Sequence, residues 1–323
     1  MTRKGCIVVS SRHVIFAILI AACLQAAAQV APKPPVSTPS AGGNSFDGPG
    51  AVVYQAERDS QDRRIDMFMG DWRDSMPRHL YGSLVLRDIL TRGDNFSPPQ
   101  PGAILQAANF LALGRLPPGA STTPSRLDRE QNIFYVVDGS GDIIAGGKTA
   151  ALHKDIAIFV PANIEFVITN SGRDDLVMYV VSEPVPEGFV TAKAMLSSDE
   201  RKVPVRSPQV ASPYTLAGAS GHWAHVVRDL FSRTDGLATI GDVITVTINP
   251  LTMGEPHPHR PGQEEIWTAI DGNSLAFIGS ELRVQRPGMA YMIRPDESMT
   301  HSNINAGDTP AKFLWFSGHS IKK

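Results

Sequence analysis

An all-β fold of two tandem jelly-roll barrels behind a short helical arm is what this chain of 323 residues predicts. Three observations lead there. Most of the chain consists of short Val, Ile, Leu, Phe and Tyr runs punctuated by Gly, Pro, Asn and Asp, the pattern of a sandwich or barrel. Ahead of them, Ile65, Phe68, Met69 and Trp72 fall at i, i+3, i+4 and i+7, with Asp59 and Ser60 as capping residues and Pro77 as a stop. The third observation is an internal repeat. "LVLRDILTRGD" (84–94) returns as "HVVRDLFSRTD" (225–235), "LPPG" (116–119) as "LTMG" (251–254), and "NIFYVVDG" (132–139) as "EIWTAIDG" (265–272). The offsets, 133 to 141 residues and in constant order, are too long for a solenoid unit and describe a duplicated domain.

In chain order, residues 1–28 read as an export signal. Arg3, Lys4 and Arg12 precede an apolar run from Val14 to Leu24, and Ala26 and Ala28 satisfy the small-x-small rule for cleavage after Ala28. Cys23, ending "IAAC", offers a lipid anchor as the alternative. The run is shorter than the ~20 residues of a membrane span, so the expected location is periplasmic or secreted. Residues 29–50 are a Pro/Gly/Ser-rich tether, 51–78 the helical arm, 79–185 the first barrel, 186–215 a linker or crossing arm, and 216–323 the second barrel. Both cysteines, Cys6 and Cys23, lie in the leader, which removes disulfides and thiolate chemistry from the mature protein. A formal net charge of −2 with scattered basic residues argues against nucleic acid as a partner. The expected partners are a small-molecule substrate or ligand and, through the first barrel, further copies in a homo-oligomer.

The chemistry concentrates in "EPHPHRPGQEEIWTAIDG" (255–272). Residues two apart on a strand share a face, so His257 and His259 can address one point, and Pro258 places them at a strand end. Glu265 opens an apolar run suited to an interior strand, where a lone carboxylate needs a partner. His301 follows in "RPDESMTHSNIN". Three imidazoles and a carboxylate are a ligand type for a first-row divalent ion. By parity with Glu265 and His301, the pocket candidates are Trp267, Asn303 and Asn305, with Glu264 a rival ligand. Arg260 could clamp a carboxylate but reads better as an exposed loop residue. His79, His153 and His319 read as surface or turn residues, and His222 and His225 in "SGHWAH" as minor pocket candidates.

With these residues the chain resembles the cupin superfamily, as a bicupin. The family's first motif is Gly, five residues, His-x-His, three or four residues, Glu, six residues, Gly; here it looks like His257, His259, Glu265 and Gly272. The second is Gly, five residues, Pro-x-Gly, two residues, His, three residues, Asn; here it looks like Gly288, Pro295, His301 and Asn305. Three departures bear on the ligands and on the turn before His301. Five residues separate His259 from Glu265, Glu297 stands where the second motif has glycine, and His301 comes one residue late. In the first copy Asn132 stands at the Glu265 position, Phe166 near the His301 position, and "STTPSR" where the two histidines belong, so this barrel resembles a cupin that has lost its metal. The resemblance implies one divalent transition metal, Mn or Fe before Zn, Ni or Cu. Dioxygenases, isomerases, decarboxylases and lyases acting on organic acids or sugars share this ligand set in the family. The alternative it leaves open is a non-catalytic cupin that binds a sugar or other small molecule. No general base stands out beyond Glu264 and Glu297.

Overall fold

The structure, a computed structural model, describes residues 65–206 and 225–319. The leader, the tether, Asp59, Ser60 and His222 lie outside the described residues. Everything described belongs to one compact unit, Glu57–Lys323.

An edge strand, β1 (Met69–Asp71), comes first. The first barrel takes β2 (Arg78–Leu80), β3 (Leu84–Arg92), β4 (Ala103–Leu105), β5 (Phe110–Leu116), β6 (Glu130–Asp138), β7 (Ser140–Ala145), β8 (Lys148–His153), β9 (Ile156–Val160), β10 (Phe166–Thr169) and β11 (Leu176–Pro184). After β12 (Leu196–Asp199), the second takes β13 (His225–Ser232), β14 (Ile240–Ile248), β15 (Thr252–Met253), β16 (His257–Pro258), β17 (Gln263–Asp271), β18 (Ser274–Ile278), β19 (Glu281–Gln285), β20 (Met289–Tyr291), β21 (Thr300–Asn305) and β22 (Ala311–His319). The large sheets run β12-β9-β6-β11-β5-β3-β2 and β1-β20-β17-β22-β14-β13, and the small ones β10-β7-β8 and β15-β21-β18-β19. Apart from β2 and β4 in the first barrel and β15 and β16 in the second, the two barrels repeat one topology.

The pairing register sharpens the repeat. A bulge between Asp88 and Leu90 on β3 recurs between Asp229 and Phe231 on β13. Gly139 and Gly272, closing the β6 and β17 repeats, sit at φ 81° and 73°. A Cβ there would meet the carbonyl oxygens of Asp175 and Pro310 at 2.4 and 2.7 Å, which is why "DG" ends both copies. The "LPPG"/"LTMG" match is out of register, however: the amides of Thr122 and Gly254 are the equivalent pair, bonding Ile168 and Asn303 carbonyls.

The expected helical arm is corrected. Residues Asp66–Phe68 and Trp72–Asp74 form single 3-10 turns, and Met69–Asp71 between them is a strand on the edge of β20. Gly70 disfavours a helix interior by ~1 kcal/mol, and a Cβ on it would lie 1.8 Å from the Ile89 carbonyl oxygen, so the glycine serves close strand packing. The apolar residues keep their role without the helix: Ile65 and Met69 pack into the second barrel, Phe68 between the barrels. The segment ahead of the first barrel thus caps the second barrel's sheet, while β12, ahead of the second, caps β9 of the first.

Three cores result. Phe134, Val136, Phe166 and their neighbours fill the first barrel, and Trp267, Ala269, Tyr291 and Phe313 the second. A third core, with Ile133, Tyr135, Ile266, Leu314 and Phe316, joins the backs of the two large sheets. This explains why β6 and β17 are buried on both faces rather than alternating.

Candidate metal centre

Three strands of the second barrel bring the ligand candidates together. His257 on β16 pairs directly with His301 on β21, His259 follows two residues on, and Glu265 rises from β17. One donor atom from each of His257, His259, Glu265 and His301 lies within 4.8 Å of all the others. His259 Nε2 is 2.7 Å from His301 Nε2 and 3.1 Å from Glu265 Oε2. All but His257 are buried.

Hydrogen bonds behind the rings turn the donors inward. His257 Nδ1–H donates to the Glu255 carbonyl at 2.8 Å. The Tyr291 hydroxyl donates to Asn303 Oδ1 at 3.2 Å and so accepts from His301 Nδ1–H at 2.8 Å. Both rings are left with an Nε2 lone pair facing the cluster. Gln263 Nε2 at 2.9 Å and Trp315 Nε1 at 3.3 Å hold the Glu265 carboxylate. Burial pushes the Tyr291 phenol well above its usual range and the Glu265 charge adds to the rise, so Tyr291 remains an O–H donor at neutral pH. Inward lone pairs around a carboxylate, with two nitrogens 2.7 Å apart, suit a cation bound at ~2 Å; the residues fit a divalent metal.

The unusual spacings are absorbed in turns. Between His259 and Glu265 the chain turns through Arg260–Gln263, where Gln263 N–H bonds the Arg260 carbonyl and Gly262 N–H the Pro295 carbonyl. Glu297, at the motif's glycine position, adopts the left-handed φ of 63° that glycine would supply, and Asn163, its first-barrel equivalent, takes 64°.

Trp267 walls the site, its ring 6.0 Å from His301 and 5.5 Å from His225. Asn303 contacts Tyr291 rather than the cluster. Two pocket candidates are corrected. Glu264 faces away from the histidines, as alternate residues on a strand must, and accepts hydrogen bonds from Asn95 Nδ2, Gln106 N and Ala107 N of the first barrel. Asn305 is structural: its amide bonds the Ile248 and Thr309 carbonyls, as Asn170 bonds those of Leu116 and Asp174. Arg260 and Glu297 are exposed, and so are His79 and His319. Sequence reading missed Tyr291, Gln263 and Trp315. A signal for Tyr291 existed: a phenol in the interior run "MAYMI" must find a partner for its hydroxyl.

The first barrel is filled where the second has its cluster. Ser125 pairs with Phe166 as His257 pairs with His301, and Asn132 takes the Glu265 position. Tyr81 closes the space, accepting a bond from Asn132 Nδ2 at 2.9 Å and packing edge-on at 5.0 Å against Phe166.

Comparison with known proteins agrees with this architecture. A family model described as a cupin domain matches residues 112–182, in the first barrel. No curated protein is similar in sequence. Among solved structures, a Pseudomonas aeruginosa protein described as glyoxylate-induced is 12% identical, covering 76% of this chain and 85% of its own, with a TM-score of 0.60. AerE from Microcystis aeruginosa is 13% identical over 78% of this chain and 99% of its own, with a TM-score of 0.56. A variant of Bacillus subtilis oxalate decarboxylase is 14% identical over 79% and 78%, with a TM-score of 0.53. The chain therefore has the tandem-barrel fold of these cupin structures, with the cupin-domain match in its first barrel and the histidine–glutamate cluster in its second.

Proposed function

We propose that this bicupin is an exported metalloenzyme holding one divalent transition ion, Mn or Fe before Zn, Ni or Cu, at His257, His259, Glu265 and His301. The carrying observation is the convergence of their donor atoms within 4.8 Å, backed by hydrogen bonds that aim two imidazole lone pairs inward. When bound, such an ion supplies Lewis acidity toward substrate oxygens. Three neutral imidazoles and one carboxylate leave a divalent ion with net positive charge, which favours an anionic oxygen donor over a neutral one. Trp267, Ile278 and Phe313 make the surrounding barrel interior apolar, which strengthens charge interactions there. A small oxygen-rich substrate, an organic acid or a sugar, follows, in a reaction of the dioxygenase, isomerase, decarboxylase or lyase type. The oxalate decarboxylase likeness supports the acid over the sugar. The leader sequence supports export.

A second reading, ligand binding without turnover, has one observation in its favour. Glu264 faces the other barrel and Glu297 is exposed, so neither candidate base stands at the cluster. Elemental analysis of protein purified without tag or chelator tests the metal. About one equivalent should be present in the wild type and in His153→Ala, and absent from His257→Ala and His301→Ala; equal content in all four contradicts the proposal. Incubating the metal-loaded protein with small organic acids then separates the two readings, by product formed or by ligand returned unchanged.

A further inference from the structure

Behind His301 lies a polar chain that the family motifs do not include. Tyr291 is fully buried, on β20, its ring centroid 5.8 Å from that of His301. Its hydroxyl touches His301 Nδ1 at 2.8 Å and Asn303 Oδ1 at 3.2 Å. A carboxamide oxygen only accepts, so the phenol proton goes to Asn303 and the phenol oxygen takes the His301 Nδ1–H. With Asn303 Oδ1 facing the phenol, the order of donors runs from His301 Nδ1–H through Tyr291 to Asn303.

The first barrel provides an internal comparison. Strand pairing makes Ile158 the equivalent of Tyr291 (each opposes the residue two beyond the Asn132 or Glu265 position), and Ile168 the equivalent of Asn303. Both are fully buried isoleucines. Where Phe166 replaces the histidine, both polar partners are hydrocarbon; where His301 stands, both are present. Burying a tyrosine hydroxyl and a carboxamide in an otherwise apolar core is costly unless each is bonded.

We infer that Tyr291, oriented by Asn303, is a positioning residue that holds His301 as the Nδ1–H tautomer with its Nε2 lone pair on the metal. The inference rests on the metal reading above. Removal of such a partner typically weakens metal binding about 10- to 100-fold. The test compares wild type, Tyr291→Phe and Tyr135→Phe. Tyr135→Phe removes an equally buried phenol hydroxyl far from the cluster, bonded to Glu200. Chelator competition with Mn2+ measures affinity, and two-bond 1H–15N spectra of the metal-free protein report the His301 tautomer. The expected result is a 10- to 100-fold loss of affinity and a mixed His301 tautomer in Tyr291→Phe alone. Wild-type affinity in Tyr291→Phe, or an unchanged tautomer, overturns the inference and leaves the metal reading standing. A wild type that binds no metal overturns both. Equal losses in the two variants assign Tyr291 a packing role only, which also overturns it.

Discussion

At the scale of single residues, two adjacent glutamates show how strand parity decides chemistry. Glu265 joins three histidines inside the barrel, and Glu264 is clamped by three N–H donors of the other barrel. Spacing alone left both as ligand candidates, because the extra residue after His259 could have been absorbed on either side. Only the neighbours of β17 settle the face. Glu265→Gln should therefore lose stoichiometric metal with little change in folding. Glu264→Gln should keep metal and lose about 1.5–3 kcal/mol of stability, the cost of weakening buried bonds to a charge, as read from urea denaturation. The histidines were legible because their chemistry is scarce and patterned. Tyr291, Gln263 and Trp315 were not, because residues that act through others carry no spacing rule.

At the scale of elements, backbone strain marks the turn ahead of β21. Glu297 is held at φ 63° in the Pro295–Ser298 turn, at a cost of ~1–2 kcal/mol for a residue with a Cβ. Glu297→Gly should raise stability by up to about 1 kcal/mol after glycine's own entropy loss of ~0.5–1 kcal/mol, measured as a shift in urea midpoint. A midpoint that falls would mean that the Glu297 side chain contributes more than its backbone costs. The strands themselves were readable from period and punctuation, and the repeat fixed their order. The arm was misread as a helix because its apolar spacing suits one, whereas the free edge of β20 and the close approach of Gly70 to Ile89 favour a strand. Sequence periodicity carries no record of an edge contributed by a strand more than two hundred residues away.

At the scale of the whole molecule, the barrels are tied reciprocally. Glu264 accepts the amides of Gln106 and Ala107 from the first barrel, and Glu183 accepts those of Thr239 and Ile240 from the second. Lys312 of the second barrel sits 2.7 Å from both Asp155 and Glu200. Burial raises the Asp155 carboxyl, but the hydrogen bond and charge of Lys312 outweigh it and hold the group below its usual range. A depressed carboxyl stabilises the fold fully above its unfolded value and loses that contribution as pH falls through the lower folded one. The stability gap between wild type and Asp155→Asn should thus be constant at neutral pH and shrink below about pH 4, in urea titrations across pH. With a common third core, the two barrels should also unfold in one transition; two resolved transitions would contradict that.

The most direct test of the metal account is anomalous diffraction from crystals of the metal-loaded protein, collected at the ion's absorption edge. A single peak among His257, His259, Glu265 and His301, with the first barrel empty around Tyr81 and Phe166, is the predicted result. A peak elsewhere, or bonding that omits Glu265 or any of the three imidazoles, would contradict it.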